Sequence, residues 1–231
     1  MPFEKYGEIF RLGWPYAILM LGSSTLSDEV DGVILNIVFF GFMCFTGVLG
    51  VVSCHQIFLS EQEMVSELRT LRWRSNETMY FISAVVLGFL ASLMMIPFIF
   101  MFVYLDVDSV LQDPNSIFVN VIYAVMFIPV AYVTARWSLI LPHAALGTEP
   151  TLSWAWNISK GFGANVFILV GLVPLLTSIA LSTLIELISP SYFLNVVIGA
   201  VSLIVIVIEL CFLSLSYRWL TFNASKVDNE S

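Results

Sequence analysis

Residues 135–161, ARWSLILPHAALGTEPTLSWAWNISKG, interrupt a chain that otherwise consists of long apolar runs and short polar turns. An arginine and a proline lie at the end of one apolar run, and a segment with two tryptophans leads into the next. An arginine inside hydrocarbon is costly unless its charge reaches the interface or a partner. The stretch therefore predicts a connection at the membrane surface between two membrane-spanning helices.

The composition on both sides of this connection predicts a membrane protein. Of the 231 residues, 59% are hydrophobic and 11% are charged, whereas soluble domains contain about 25% charged residues. Several apolar runs reach the roughly 20 residues that an α-helix needs to cross a bilayer. Because little chain is left between them, the sequence predicts a single all-α integral membrane domain over residues 1–231.

The apolar runs predict six membrane-spanning helices, and amphipathic segments between them predict three short helices at the membrane surface. The predicted spans cover residues 12–27, 33–58, 79–105, 117–141, 164–187 and 193–217. The predicted surface helices cover residues 3–11, 61–74 and 150–160, where apolar side chains recur at helical spacing. Pro142 is expected to end the fourth span.

The charges between the spans predict the orientation of the chain. All nine lysine and arginine residues lie beside the same ends of the predicted spans, and the opposite turns contain acidic residues but no basic ones. Cytoplasmic loops of membrane proteins are enriched in lysine and arginine. Both termini and the surface helices are therefore predicted to be cytoplasmic, and the net charge of −8 follows from the acidic outer turns together with Glu209.

Two ionisable residues lie inside predicted spans and are the candidate site. Arg136 and Glu209 lie about five and eight residues from the cytoplasmic ends of the fourth and sixth spans, which corresponds to depths of roughly 8 and 12 Å. One interpretation is structural: an ion pair that fixes the packing of the two spans, or an Arg136 whose charge simply reaches the interface. The other is a polar site in a cytoplasm-facing cavity that binds a substrate headgroup or relays a proton.

The remaining reactive side chains predict neither catalysis nor metal binding. The three cysteines have no CxxC spacing, and neither His55 nor His143 has a third ligand at helical spacing. No nucleophile elbow, phosphate-binding loop or paired-carboxylate site is present in the sequence. The sequence therefore predicts a non-enzymatic protein with no cofactor, no metal and no nucleic-acid partner.

The connection also carries a family resemblance. The pattern Arg136-x-Ser-Leu-x-Leu-Pro142, followed by Trp156-x-x-Ser-Lys160-Gly161 and another apolar run, resembles a broad family of small six-span bacterial inner-membrane proteins. That family includes the membrane domain attached to some glycerophosphodiester phosphodiesterases. The resemblance implies a bacterial inner membrane and a shared core formed by these five numbered residues. Phosphodiesterase activity is not expected, because no appended catalytic domain accompanies this stretch.

Two functions are compatible with these features. The first is a scaffold or accessory subunit whose cytoplasmic amphipathic helices and exposed span faces bind a larger membrane complex; the predicted partners are the lipid bilayer and such a complex or, apart from this role, a homo-oligomer. The second is a small transporter or lipid-handling protein that uses a polar site at Arg136 and Glu209. Prolines within the spans, at Pro97, Pro129 and Pro174, would allow the helix breaks that such sites often use.

Overall fold

A computed structural model describes residues 33–59, 73–104, 117–187 and 192–230. These residues are almost entirely helical and contain no strand, which confirms the predicted all-α class for this part of the chain. The predicted span at 12–27, the predicted surface helix at 3–11 and most of the one at 61–74 lie outside the described residues. Trp73 and Arg74, at the end of the last of these, are not helical.

The described chain contains eight α-helices and one π-helical segment. In order they are α1 (Val33–Leu59), α2 (Ser75–Tyr104), α3 (Ile117–Trp137), α4 (Ile140–Ala145), α5 (Leu152–Ile158), α6 (Gly163–Val166), the π-helical segment (Phe167–Leu172), α7 (Val173–Leu187) and α8 (Tyr192–Glu230). Four stretches are long and apolar enough to cross a membrane: Asn36–Leu59, Ser75–Met101, Gly163–Leu181 and Val197–Ala224. This pattern is consistent with a multi-pass membrane protein.

The fourth predicted span ends earlier than expected, because Pro142 interrupts the helix about one turn before its own position. Helix α3 ends at Trp137 and α4 begins at Ile140, with Ser138 and Leu139 in a turn between them. A proline ring collides with the carbonyl four residues before it, and here that carbonyl belongs to Ser138. Pro142 itself lies in the first turn of α4, where no backbone N–H is needed. It therefore belongs to the start of α4 rather than to the end of the span.

Two other helices extend beyond their predicted limits. Helix α2 begins at Ser75 rather than at residue 79, because the Glu77 carboxylate accepts a hydrogen bond from the backbone N–H of Arg74 at 2.7 Å and caps the first turn. Helix α8 continues from the predicted end at residue 217 to Glu230. The sequence contains no glycine or proline after Gly199, so nothing in it breaks the helix where the apolar run ends.

Helix α5 is shorter than the surface helix predicted over residues 150–160. It covers Leu152–Ile158, and the Thr151 side chain accepts a hydrogen bond from the backbone N–H of Trp154 at 3.1 Å. Thr151 is therefore the N-cap, and Pro150 lies just before the helix.

The packed core surrounds α4 and lies at one end of the long helices. One cluster joins α4 and α5 to the C-terminal half of α8, with Leu139, Ala155 and Leu213 among its buried members. A second joins α4 to α1 and the beginning of α2 through Val52 and Tyr80. The C-terminal half of α1, the N-terminal turns of α2 and the C-terminal half of α8 therefore meet at one level.

Away from this core the long helices have apolar side chains on their surfaces. None of the residues in the most apolar part of the Ser75–Met101 stretch is buried. The side chains of Phe40 and Phe100 are 70% and 69% exposed. Contiguous apolar surface of this extent is unusual on a soluble protein. It is what a helix requires when hydrocarbon surrounds it.

Candidate functional site

Arg136 lies in the last turn of α3 and is enclosed by neutral partners. Its Nε donates to Ser159 Oγ at 2.8 Å, one terminal nitrogen donates to the Trp156 carbonyl oxygen at 2.6 Å, and the other donates to the Tyr132 hydroxyl at 3.3 Å. The guanidinium carbon lies 3.6 Å from the centroid of the Trp156 ring. The side chain is 6% exposed, so these contacts replace most of its hydration.

These contacts make Arg136 a structural link between α3 and the C-terminal end of α5. The Ser159 hydroxyl donates a hydrogen bond to the Ala155 carbonyl oxygen at 2.8 Å, and its oxygen can therefore accept one from Arg136. Hydrogen bonds from a charged donor are stronger than neutral ones, and a guanidinium over an indole face adds a cation–π attraction. The charge is thus held without a carboxylate among its described partners.

The other members of the predicted shared core have separate roles. Trp156 contacts Arg136 through both its ring and its carbonyl group. Pro142 is buried within α4, whereas Lys160 is exposed to the surroundings. Gly161 has a φ of 87°, a backbone conformation that favours glycine, and it allows the chain to turn from α5 into α6.

Glu209 lies in the middle of α8 and has a different environment. The hydroxyl oxygen of Thr177 on α7 lies 3.1 Å from its Oε1. The same hydroxyl lies 3.0 Å from the Val173 carbonyl oxygen and 2.8 Å from that of Pro174. A hydroxyl has one proton to donate, so the three acceptors share it. The carboxyl group therefore keeps hydrogen-bonding capacity that its described neighbours do not use.

A cavity of about 400 Å³ adjoins this carboxyl group and is bounded by α2, α3, the π-helical segment, α7 and α8. Its walls are largely apolar, and its polar side chains are Thr134, Ser138 and Glu209. The hydroxyls of Thr134 and Ser138 are hydrogen-bonded to carbonyl groups of their own helix at 2.7 Å each. Glu209 is therefore the group in the described walls that is best able to bind a ligand by charge.

The π-helical segment packs against α3 and forms another wall of the cavity. It ends two residues before Pro174, whose ring cannot fit against the carbonyl of Val170 in a regular α-helix. Widening of the preceding turn relieves that collision. Gly171 lies in the widened turn, where a Cβ atom would be 3.3 Å from the Ala135 Cβ and 3.4 Å from the Ala131 carbonyl oxygen. The absence of a side chain there lets the segment approach α3 closely.

The structure does not bring Arg136 and Glu209 together as an ion pair. Within the described residues, Arg136 donates hydrogen bonds to Tyr132, Trp156 and Ser159. The side chain of Glu209 instead accepts a hydrogen bond from Thr177. Consecutive residues on a helix point about 100° apart. It is Ala135, not Arg136, that faces the cavity beside Glu209.

Two histidines link the core without forming a metal site in the described chain. His55 on α1 is fully buried, and its Nδ1 lies 2.7 Å from the Ser214 hydroxyl on α8. His143 on α4 stacks on Trp154 with ring centroids 4.1 Å apart and has Nδ1 3.0 Å from the Tyr217 hydroxyl. Burial lowers the pKa of His143 from its ordinary value of 6.5. Within the part of the chain that the structure describes, no three metal-ligating side chains lie together.

Several residues of these two environments were not singled out by the sequence. Tyr132 precedes Arg136 by one helical turn, so the (i, i+4) spacing could have indicated their contact. Thr177, in contrast, is an ordinary hydroxyl residue in an apolar run, and Ser159 lies within the quoted motif but has no local signal for a bond to Arg136. Their roles depend on which side of their own helix packs against a distant element. No local sequence pattern indicates that side.

The chain matches no protein-family model, no curated protein and no solved structure. The resemblance to the six-span bacterial family therefore stays a prediction.

Proposed function

We propose that this chain is a non-enzymatic multi-pass membrane protein that binds a small hydrophobic molecule with a basic group in the cavity beside Glu209. It would then act as a small transporter or lipid-handling protein. The observation that supports this most directly is the carboxyl group of Glu209 on the wall of a cavity of about 400 Å³. That volume falls within the range of roughly 300–1,000 Å³ for small-molecule sites.

The chemical class of the ligand follows from the walls of this cavity. The apolar lining favours a hydrophobic body, and an acidic group in such surroundings favours a partner that brings positive charge and hydrogen-bond donors. Glu209 has unused acceptor capacity, because Thr177 divides one proton among three oxygens. The π-helical segment supports the same assignment, because such segments are frequent at functional sites.

The proposal includes an orientation of the chain. Arg74, Arg136, Lys160 and Arg218 all belong to the end of the bundle that contains the packed core around α4. Positive residues gathered at one end support the predicted six-span arrangement, with that end and both termini in the cytoplasm. We place the protein in a bacterial inner membrane on the family resemblance.

Binding of two matched probes to the full chain in phosphatidylcholine vesicles tests the proposal. 1-Aminoadamantane carries a positive charge, and 1-adamantanol has nearly the same shape without one. The wild-type chain is expected to bind the amine more tightly. Glu209→Gln should weaken amine binding by about tenfold or more, because a hydrogen bond to a charged group contributes roughly 1.5–3 kcal/mol. Adamantanol binding should change little.

The matched control is Glu149→Gln, which removes a carboxylate from an exposed position in the segment before α5. It should leave amine binding unchanged. Equal binding of the two probes by the wild-type chain, or equal effects of the two glutamate substitutions, would contradict the proposal. Amine movement across the vesicle membrane that depends on Glu209 would identify transport rather than binding alone.

A second candidate, the accessory-subunit role, is favoured by the length of α8. Its 39 residues extend about 58 Å, whereas the hydrocarbon core is about 30 Å thick. A helix this long offers a surface beyond the bilayer for another protein. Purification of the tagged chain in mild detergent tests this role: a stoichiometric partner supports it, and a monomer or homo-oligomer alone counts against it.

A further inference from the structure

A second depression lies on the outer surface of the bundle, away from the Glu209 cavity. It is a groove of about 390 Å³ between α8 and the segment formed by α6 and the π-helical turn. Most of its lining is apolar, including Leu169, Phe212, Leu215 and Trp219. The α8 side of the groove lies within a stretch that is long and apolar enough to cross a membrane, so in a bilayer the groove would border lipid.

One polar group in the groove has no described partner. Ser216 lines it and is 8% exposed, and its hydroxyl is buried without a hydrogen bond from any described residue. Hydroxyls on membrane helices usually bond to the carbonyl one turn back, as Ser214 does to Leu210 at 2.8 Å. The Ser216 hydroxyl therefore lies beneath the surface of the groove without a described partner, and Asn165 supplies an exposed polar group on the facing wall.

A cation lies at one end of the groove. Leu215 and Trp219 also line an adjoining depression that includes Arg218. Arg218 is exposed, and no carboxylate contacts it among the described residues. It lies six residues before the end of the apolar stretch Val197–Ala224, about 9 Å along the helix. Its charge can therefore reach the level of the lipid headgroups.

From these features we infer that the groove binds one anionic phospholipid. An acyl chain lies along the apolar wall from Trp219 towards Phe212, which is about 10 Å along α8. The phosphate and the anionic headgroup lie at Arg218, and the ester region reaches the level of Ser216. Charge complementarity selects the occupant, since an apolar chain alone would not distinguish an anionic lipid from a neutral one. This inference does not depend on the Glu209 cavity.

Native mass spectrometry of the full chain tests the inference with dioleoylphosphatidylglycerol and dioleoylphosphatidylcholine. These lipids have the same acyl chains and differ in headgroup charge. The wild-type chain should retain one phosphatidylglycerol with an apparent affinity about fivefold above that for phosphatidylcholine, the effect of one cation at the membrane surface. Arg218→Gln should reduce that ratio to about one. Glycerol 3-phosphate, which has no acyl chain, should not be retained.

Two pairs of variants separate this site from general effects on the protein. Arg74→Gln removes a cation from an exposed position outside the groove and should leave the lipid ratio unchanged. Leu215→Trp fills the groove and should lower retention of both lipids. Ile204→Trp places the same ring on an exposed part of α8 away from the groove and should leave retention of both lipids unchanged. Equal retention of the two lipids by the wild-type chain would overturn the inference. So would an Arg218→Gln effect no larger than that of Arg74→Gln.

Discussion

Two charged residues of the predicted spans have opposite surroundings. Arg136 is 6% exposed and is enclosed by three hydrogen-bond acceptors and an indole ring. Glu209 shares one hydroxyl proton and lies on the wall of a cavity. A charge whose partners are all supplied by the protein stabilises the fold, and a charge with unused capacity beside open space is suited to binding. The difference favours a structural role for the first residue and supports the proposed ligand binding at the second.

Replacement of Arg136 should have the largest effect on stability. Arg136→Met should lower the free energy of unfolding by about 3 kcal/mol, because charged hydrogen bonds contribute roughly 1.5–3 kcal/mol and the cation–π contact roughly 0.5–2 kcal/mol. Glu209→Gln should change it by less than about 0.5 kcal/mol. Thermal unfolding of both variants in one detergent measures the difference directly.

The charge exchange Arg136→Glu with Glu209→Arg provides the control for this prediction. Because the two residues do not pair, the double variant should be at least as unstable as the two single variants together. Recovery of stability in the double variant would show that the residues do interact. An Arg136→Met protein as stable as the wild type would remove the distinction between the two environments.

A smaller effect is expected from the backbone of the connection that holds Arg136. Gly161→Ala should destabilise the protein by about 1–2 kcal/mol, because φ at this position is 87° and a Cβ atom strains that conformation. Gly41→Ala is the matched control, since Gly41 lies within α1 and a Cβ atom there would meet nothing within 4 Å. A chemical-denaturation series should place Gly41→Ala at or above wild-type stability. Equal losses at the two glycines would argue against a strained turn.

The smallest expected effect is the pH dependence of folding stability that His143 contributes. Burial lowers its pKa in the folded state below the ordinary value of 6.5, so the unfolded chain binds its proton at higher pH. The contribution of His143 to the free energy of unfolding should therefore be constant above about pH 6.5 and should fall as the pH decreases towards the folded-state pKa. The melting temperature, measured from about pH 8 to about pH 5, checks this direction.

His143→Gln isolates the contribution of that residue, because His55 is unchanged in both proteins. The variant should lose stability less steeply with acid than the wild type. A wild-type stability that increased on acidification, relative to the variant, would show that the folded protein favours protonated His143 instead.

The sequence by itself determined the helical class, the apolar stretches and the two charges of interest. Apolar runs of about 20 residues have few alternatives to helix in a membrane, because every backbone polar group must be satisfied within the segment. The break between α3 and α4 also had a local signal in Pro142, although its effect falls one turn upstream of the expected position.

The tertiary structure decided which partners those charges have. Arg136 and Glu209 lie at similar predicted depths, and depth alone cannot specify the side of the helix towards which each side chain points. That direction depends on the close approach of the π-helical segment to α3 at Gly171, and on the turn that brings Trp156 and Ser159 to Arg136. Such contacts join residues far apart in the chain, and packing rather than local sequence pattern selects them.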